Sequence, residues 1–326
     1  MPIPWVKAGG VREVLAGIPR PSDEEGGDRG MAVVLGVERP LGRVLVDTLL
    51  SESRVVRAVY FDRGAASQGA IPGTQTVIVD PAEAFNVTEA CQGAKVVFDC
   101  YEPNYSDWKQ VWPSVTSNVV YAAIEVGASL VFASHLINSE TQNERQEAEV
   151  LRANESKLIG TTVVRIPQLM GVRVINPLWE LIYKAVLAGK KAHWIGDPDV
   201  QRSLLDVEDA ARAMEQLAKS PRLCGRTWTA ASPSPLTGRQ FIEMAFEAVG
   251  RKPDVGSWGR GIVITGGLLA SDAREVLKMP YDYYSAFELD GKDFAEALPS
   301  FYFTPPEDSV SRGLEWYRGQ GLAAGQ

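Results

Sequence analysis

The chain of 326 residues reads as an α/β protein: a doubly wound, mainly parallel sheet followed by a smaller C-terminal lobe. Three observations carry that reading. Apolar runs of strand length alternate with helix-period segments from Met31 to about residue 166, the rhythm of a parallel sheet covered on both faces. The first such unit, MAVVLGVERPLGRVLVDTLLSESRVVRAVYFD, is strand, tight turn, helix and strand. Beyond Gly171 the rhythm gives way to short elements rich in Gly, Pro and aromatics, which marks a second lobe.

Residues 1–30 hold six glycines, four prolines and the acidic patch Asp23, Glu24, Glu25, and are expected to be a flexible N-terminal arm. Strands are predicted at 31–36, 55–62, 76–80, 95–100, 129–134 and 161–166, with helices at 41–52, 82–92, 108–127 and 143–154. Gly127 closes SNVVYAAIEVG as a helix C-cap. NPLWELIYKAVLAGK reads as an amphipathic helix closed by Gly189. HWIGDPDVQRSLLDVEDAARAMEQLAK reads as a short strand, a turn and a helix N-capped by Asp206. The first domain is expected over 31–170, with 203–220 returning to it, and the second lobe over 171–202 and 221–326. There is no internal repeat.

Composition narrows the function classes. Apolar residues make up 45%, yet no window approaches the roughly 18 uninterrupted apolar positions of a membrane span. A net charge of -8 without a Lys/Arg-rich block argues against nucleic acid as the main partner. Three widely spaced cysteines (Cys91, Cys100, Cys224) support neither a disulfide framework nor a zinc site, so no metal is expected. The start MPIPWVKAGG lacks the basic residues and apolar centre of a signal peptide, and a cytoplasmic location is expected.

The first unit suggests a ligand. Gly36 ends the first apolar run, Gly42 opens the helix, and Asp62 lies 20 residues further on. In a dinucleotide site the glycines let the backbone approach a pyrophosphate, the helix N-terminus supplies oriented N–H groups, and the acid accepts from ribose hydroxyls. A bare crossover explains the glycines too. Arg39 stands where the fingerprint has its middle glycine, and its guanidinium can instead bind a phosphate. Asp62 favours NAD, while Arg63 beside it keeps NADP open.

Taken together, from Met31 to about Arg318, these segments resemble the extended short-chain dehydrogenase/reductases, the NAD-dependent epimerase/dehydratase family with its Rossmann domain. The marks are the first βαβ unit, Asp80 after the third strand, VVFDCYEPNY around Cys100, and Asn118-Val119 in the next helix. They continue with VVRIPQLMG, GDPDVQRSLLDVEDAARA and SPSPLTGRQFIEMAFEAVGRKP. The resemblance implies cofactor contacts at Asp80, Cys100 and Pro167, a place for Asn118 near the chemistry, and substrate contacts at Gln168 and Arg202. It also implies dimerisation through helices 108–127 and 143–154.

The family's chemistry rests on a Ser or Thr after the fifth strand and a Tyr-x-x-x-Lys on the following helix. Laying VFASHL on that pattern puts Ser134 and His135 at the serine position, and NERQEAEVL puts Arg145 in the lysine's place and Thr141 in the tyrosine's. A threonine hydroxyl cannot replace a phenol of pKa ~10, and arginine cannot cycle its proton, although it can still hydrogen-bond ribose. The family's proton relay is therefore absent. After the fourth strand, where the family has two small residues beside the cofactor, this chain has Tyr101 and Glu102.

His135 is the favoured acid–base group. It is one of two histidines, falls at the carboxyl end of a parallel strand, and has an ordinary pKa of ~6.5. The alternative is a histidine satisfied by backbone in a turn. Tyr101 or Glu102 could also take the acid–base role. Tyr101, Glu102, Tyr105, Trp108 and Trp112 suggest a flat or apolar substrate, against ordinary aromatic packing. Arg202 is placed to touch a diphosphate, against a surface pairing with Asp197 or Asp199. His193 and Trp194 could floor the pocket, against packing; Asp206 with Asp209 suits a helix cap.

Three functions fit: an NAD(P)-dependent oxidoreductase or epimerase on a small molecule using His135; a non-redox isomerase, lyase or cyclase reusing the pocket; and a catalytically silent NAD(P)- or metabolite-binding protein.

Overall fold

The structure, a computed structural model, describes residues 30–61, 69–103, 108–136, 143–259 and 283–320, with the side chains of Trp108 and Lys109 left out. The arm before Gly30 lies outside the described residues, as do Asp62, Arg63, Tyr105 and Thr141.

The chain forms two compact units. Of the described residues, the first unit holds those within Met1–His135, Thr141–Arg165 and Ala210–Trp228. The second holds those within Leu136–Glu140, Ile166–Asp209 and Thr229–Gln326.

The first unit is built on β1 (Met31–Leu35), α1 (Pro40–Ser51), β2 (Val56–Tyr60), β3 (Gln75–Ile78), α2 (Ala84–Cys91), β4 (Ala94–Asp99), α3 (Trp108–Val126), β5 (Ser129–His135), α4 (Glu144–Glu155) and β6 (Thr161–Ile166). Later in the chain come β7 (Gln168–Met170), α5 (Pro177–Leu187), β8 (Ala192–Ile195), β9 (Gln201–Arg202), β10 (Leu204–Asp206), α6 (Val207–Ala218) and β11 (Arg226–Thr229). Last are β12 (Leu236–Thr237), α7 (Gly238–Glu247), β13 (Val255–Trp258), α8 (Lys292–Ala297) and α9 (Pro306–Gly319).

Seven strands form the main sheet in the order β11-β6-β5-β4-β1-β2-β3. β1 runs parallel to both β2 and β4, with β3 and β5 continuing in parallel outside them. Chain order therefore reverses beside β1, the position at which doubly wound sheets open a crevice at their carboxyl ends. The central strands are mostly apolar because helices cover both faces: Ala32, Val33, Val34 and Leu35 are fully buried, and every residue of β2 is buried, including Arg57, whose guanidinium is satisfied by Gln75 and by the Ala90 and Gln92 carbonyls. α1 starts with Pro40 at its first position and turns Leu41, Val44, Leu45 and Leu49 inward.

The seventh strand differs from the sequence reading. β11 extends the sheet past β6, with the Gly225 N–H donating to Thr161 O at 2.7 Å, so residues 221–228 belong to the first unit rather than to the C-terminal lobe. The signal is weak because RTWT has a single buried residue, Trp228, and no apolar run.

The second unit packs α5, α7 and α9 with β8 around Trp179, Trp194, Tyr183, Phe241 and Tyr317. Trp179 stacks on Phe241 with centroids 4.3 Å apart. Three two-stranded ribbons, β7 with β10, β8 with β13 and β9 with β12, complete it. Asp206 caps α6 by accepting from the Glu208 N–H, as the sequence predicts, and its other oxygen accepts from Ser309 and Arg312. Among the described residues no helix is long and apolar enough to cross a membrane.

Candidate functional site

At the carboxyl end of β1 the chain turns through Gly36, Val37, Glu38 and Arg39 into α1. Gly36 has φ +77, and a Cβ there would stand 2.7 Å from the Tyr101 Cα. A Cβ on Gly42 would meet the Gly36 carbonyl oxygen at 2.5 Å. The spacing of these two glycines is thus demanded by the close approach of α1, the turn and the end of β4. Arg39 is the N-cap residue of α1 in extended geometry and makes no side-chain cap, so the helix's first-turn amides keep their capacity to receive an anion.

Around this turn the structure gathers groups that the sequence reading only partly named. The Tyr101 ring meets Phe61 edge-on, centroids 5.2 Å apart, and the Arg39 guanidinium lies 6.0 Å from the Tyr101 ring centroid. Glu38 accepts from the Phe61 N–H at 3.2 Å. Asp99, the last residue of β4, is buried and accepts from the Tyr101 N–H at 3.1 Å. Burial, reinforced by the neighbouring Glu38 charge, pushes its carboxyl up to about 7 against the lowering effect of that backbone bond. Neither Glu38 nor Asp99 stands out in sequence. Asp99 shows itself only as an acid ending the apolar run Val96, Val97, Phe98.

The second group lies at the carboxyl end of β5. His135 Nδ1 faces Glu102 Oε2 at 3.7 Å, and His135 Nε2 is buried with no hydrogen-bond partner among the described residues. Behind it, Ser134 donates its hydroxyl to Glu147 at 2.6 Å. Arg165 holds Glu147 through both carboxylate oxygens, with its closest contact at 2.7 Å. That bond and the Glu147 charge raise the Arg165 pKa further above its ordinary value. The Asn143 amide donates to His135 O and to Ser134 Oγ.

This arrangement corrects the register laid on α4. Arg145 is exposed, whereas Gln146 and Glu147 are buried with Val150 and Ala153 on the inward stripe. Asn143 and Glu147, four residues apart, face Ser134. The signal was present in NERQEAEVLRAN. Val150 fixes the buried phase of the helix; stepping back from it by three and four residues reaches Glu147 and Gln146, and four more from Glu147 reaches Asn143.

Other candidates are placed as follows. Asn118 spends its amide on Pro81 O, a tie between α3 and the segment after β3. Asp80 accepts from the Ala82 N–H in the same segment. Cys100 is fully buried, its N–H continues the ladder to Leu35 O, and burial pushes its thiol well above the ordinary value, so it offers the crevice no side chain. Trp112 is packed against Phe132. Pro167 is buried between β6 and β7. Trp108 opens α3, its side chain outside the described set.

In the second unit, Gln168, Trp194 and Arg202 converge on Tyr283, a residue the sequence reading missed. Gln168 Nε2 donates to the Tyr283 hydroxyl at 2.9 Å, and Trp194 meets the Tyr283 ring edge-on at 5.5 Å. Arg202 lies over the rings of Tyr283 at 5.0 Å and Phe287 at 5.7 Å, donating to Ser285 O. Arg202 is only 1% exposed, so it is not the surface arginine paired with Asp197 or Asp199; Asp199 pairs with Arg239 instead. Trp194 is likewise core, packed so tightly that a Cβ on Gly238 would lie 2.2 Å from its indole. His193 stacks on Trp258 at 4.7 Å, and burial together with Lys191 lowers its pKa.

No family model matches the chain, and no curated protein matches it. Solved structures do. The Thermus thermophilus UDP-glucose 4-epimerase, solved with NAD, shares 16% identity with a TM-score of 0.70, covering 89% of this chain and 99% of that one. This chain shares that epimerase's fold. The Bacillus cereus UDP-N-acetylglucosamine 4-epimerase superposes on the same fold at 14% identity and a TM-score of 0.71, covering 89% of this chain and 96% of that one. The Bordetella bronchiseptica enzyme WbmH, solved with NAD+, does so at 17% and 0.65, covering 90% and 99%.

Two of these neighbours were solved with NAD, and the turn here has features that suit a diphosphate: a sharp glycine bend, a helix start without a side-chain cap and a cation at Arg39. Tyr101 and Phe61 are the groups it would have to share space with. Among the described residues no cluster of His, Cys, Asp and Glu could hold a metal.

Proposed function

We propose that the chain is a nicotinamide-dinucleotide-binding enzyme of the epimerase/dehydratase kind that acts on a small molecule with His135 as its acid–base group. One observation carries this reading: His135 stands at the carboxyl end of β5 with Glu102 facing Nδ1 and Nε2 left without a partner among the described residues. A carboxylate beside Nδ1 favours the proton there and leaves the Nε2 lone pair as the base. Ser134, bound to Glu147, is withdrawn from proton transfer, and Asn143 fixes the main chain beneath the imidazole. Gly36, Gly42, the first amides of α1 and Arg39 would hold the diphosphate. A nicotinamide held there would supply hydride transfer.

The support for NAD comes from neighbours solved with it; this chain's own contribution is the turn geometry. NADH and NADPH titrations followed by quenching of the eight tryptophans test the cofactor. Saturable NADH binding is expected, and absence of binding by either nucleotide overturns that part. His135→Ala is expected to lower turnover by roughly 10²–10⁴-fold; unchanged turnover removes His135 from the chemistry.

A second reading, a non-redox isomerase or lyase, is favoured by the Phe61–Tyr101 contact across the β1 end. It predicts turnover that is unaffected by added nucleotide.

A further inference from the structure

The tip of β2 carries an acid that does not come from β2. In the turn after β1, the Gly36 and Val37 N–H groups both donate to Val59 O, at 3.0 and 3.2 Å, so the turn is drawn along the end of the second strand. Glu38 follows at once. Its carboxylate accepts from the Phe61 N–H, the first amide beyond β2, at 3.2 Å and across 23 positions of sequence. The side chain is half-buried and fixed on the residue that precedes Asp62. Its charge reaches two strand ends. Burial is the main cause of the raised pKa values of Tyr60 on β2 and of Asp99 and Cys100 at the end of β4, and the Glu38 charge adds to all three. The cations nearby have other contacts: Arg43 pairs with Asp47 one turn along α1 at 3.3 Å, and Arg39 lies against the Tyr101 ring. Asp62 and Arg63, of opposite sign, lie outside the described residues, so among the described residues the anchored charge at this tip is that of Glu38.

We propose that Glu38 selects between the two nicotinamide dinucleotides: a carboxylate supplied by the glycine turn and held at the tip of β2 favours NAD and disfavours NADP. The inference deepens the dinucleotide-binding reading and rests on it. In a doubly wound sheet the tip of the second strand is where the adenosine ribose lies. A ribose with both hydroxyls brings hydrogen-bond donors toward an anion. A 2′-phosphate brings a charge of about −1.5 to −2 and only acceptors. It meets a carboxylate half withdrawn from water, where repulsion is less screened than at an open surface. The effect acts through charge over distance, so it needs no contact between Glu38 and the nucleotide.

Calorimetric titration of the full-length protein with NADH and with NADPH tests the assignment. The parent is expected to bind NADH about tenfold or more tightly than NADPH. Glu38→Gln, which still accepts from the Phe61 N–H but carries no charge, is expected to gain about tenfold in NADPH affinity, with NADH changing by about threefold or less. Glu38→Lys is expected to reverse the order. A salt series on the parent needs no variant to fold. Raising salt from about 0.05 to about 0.5 M is expected to bring the two affinities together, because screening weakens repulsion; a widening gap overturns the assignment. Asp62→Asn separates the two acids. Selectivity retained there supports Glu38, whereas selectivity lost there and kept in Glu38→Gln overturns the role given to Glu38. Equal binding of both nucleotides by the parent, or a preference for NADPH, overturns the selectivity alone and leaves the dinucleotide reading standing. Binding of neither nucleotide overturns the dinucleotide reading and this inference with it.

Discussion

Tyr101 and Phe61 touch edge-on beside the Gly36 turn, closing with two rings the ground that the sequence pattern reserves for small residues. The backbone of Tyr101 is pinned against Gly36, so the side chain alone can yield. An aromatic pair of this kind contributes about 1 kcal/mol beyond its buried area, which sets the cost of parting it. Tyr101→Ala is expected to tighten NADH binding by about fivefold, that energy expressed as affinity. Fluorescence titration of both proteins decides it, and weaker binding by the variant would make Tyr101 a stacking platform for the nucleotide.

Glu147 ties Ser134, on β5, to Arg165, on β6. Glu147→Ala removes the acceptor from a buried hydroxyl and the partner from a guanidinium whose side chain is 37% exposed. Because Arg165 can turn to water, the expected loss is about 2 kcal/mol, below the value for a fully enclosed pair. Chemical denaturation measures it. Glu147→Gln, which still accepts from Ser134, should recover part of that loss.

Asp99 gives a pH dependence of definite sign. Its carboxyl keeps its proton in the folded protein up to about 7, while the ordinary value is 3.8. Between those values the folded state binds more protons than the unfolded one. Stability fully present below the ordinary value is therefore lost as the pH rises toward 7. At about 1.4 kcal/mol per unit the whole effect is a few kcal/mol. Asp99→Asn keeps an acceptor for the Tyr101 N–H and carries no charge. Its melting temperature should exceed the parent's above neutrality and match it in mild acid, and parallel melting curves at every pH would refute the shift.

Arg202 separates packing from recognition. Its guanidinium fills the space between Tyr283 and Phe287, so Arg202→Ala is expected to cost about 3 kcal/mol by leaving a cavity and unpaired carbonyls. Arg202→Met, which restores the bulk, should recover most of that stability in thermal melts. Full stability in the alanine variant would show that the ring contacts contribute nothing.

The parallel sheet, the two glycines of the first turn and the break in rhythm beyond Gly171 were legible in the chain, because burial on both faces writes long apolar runs and a close backbone contact admits only glycine. His135 at a strand's carboxyl end was legible for the same reason: once strand ends are known, so are the residues standing on them. Tertiary structure alone decided that Arg202 is enclosed by Tyr283 and Phe287, that β11 joins the main sheet, and that Asp99 is a buried acid beside Glu38. Each of these depends on partners dozens of residues away. A local pattern records how a segment divides its faces between core and water, and says nothing of which distant side chain will satisfy a buried polar group there.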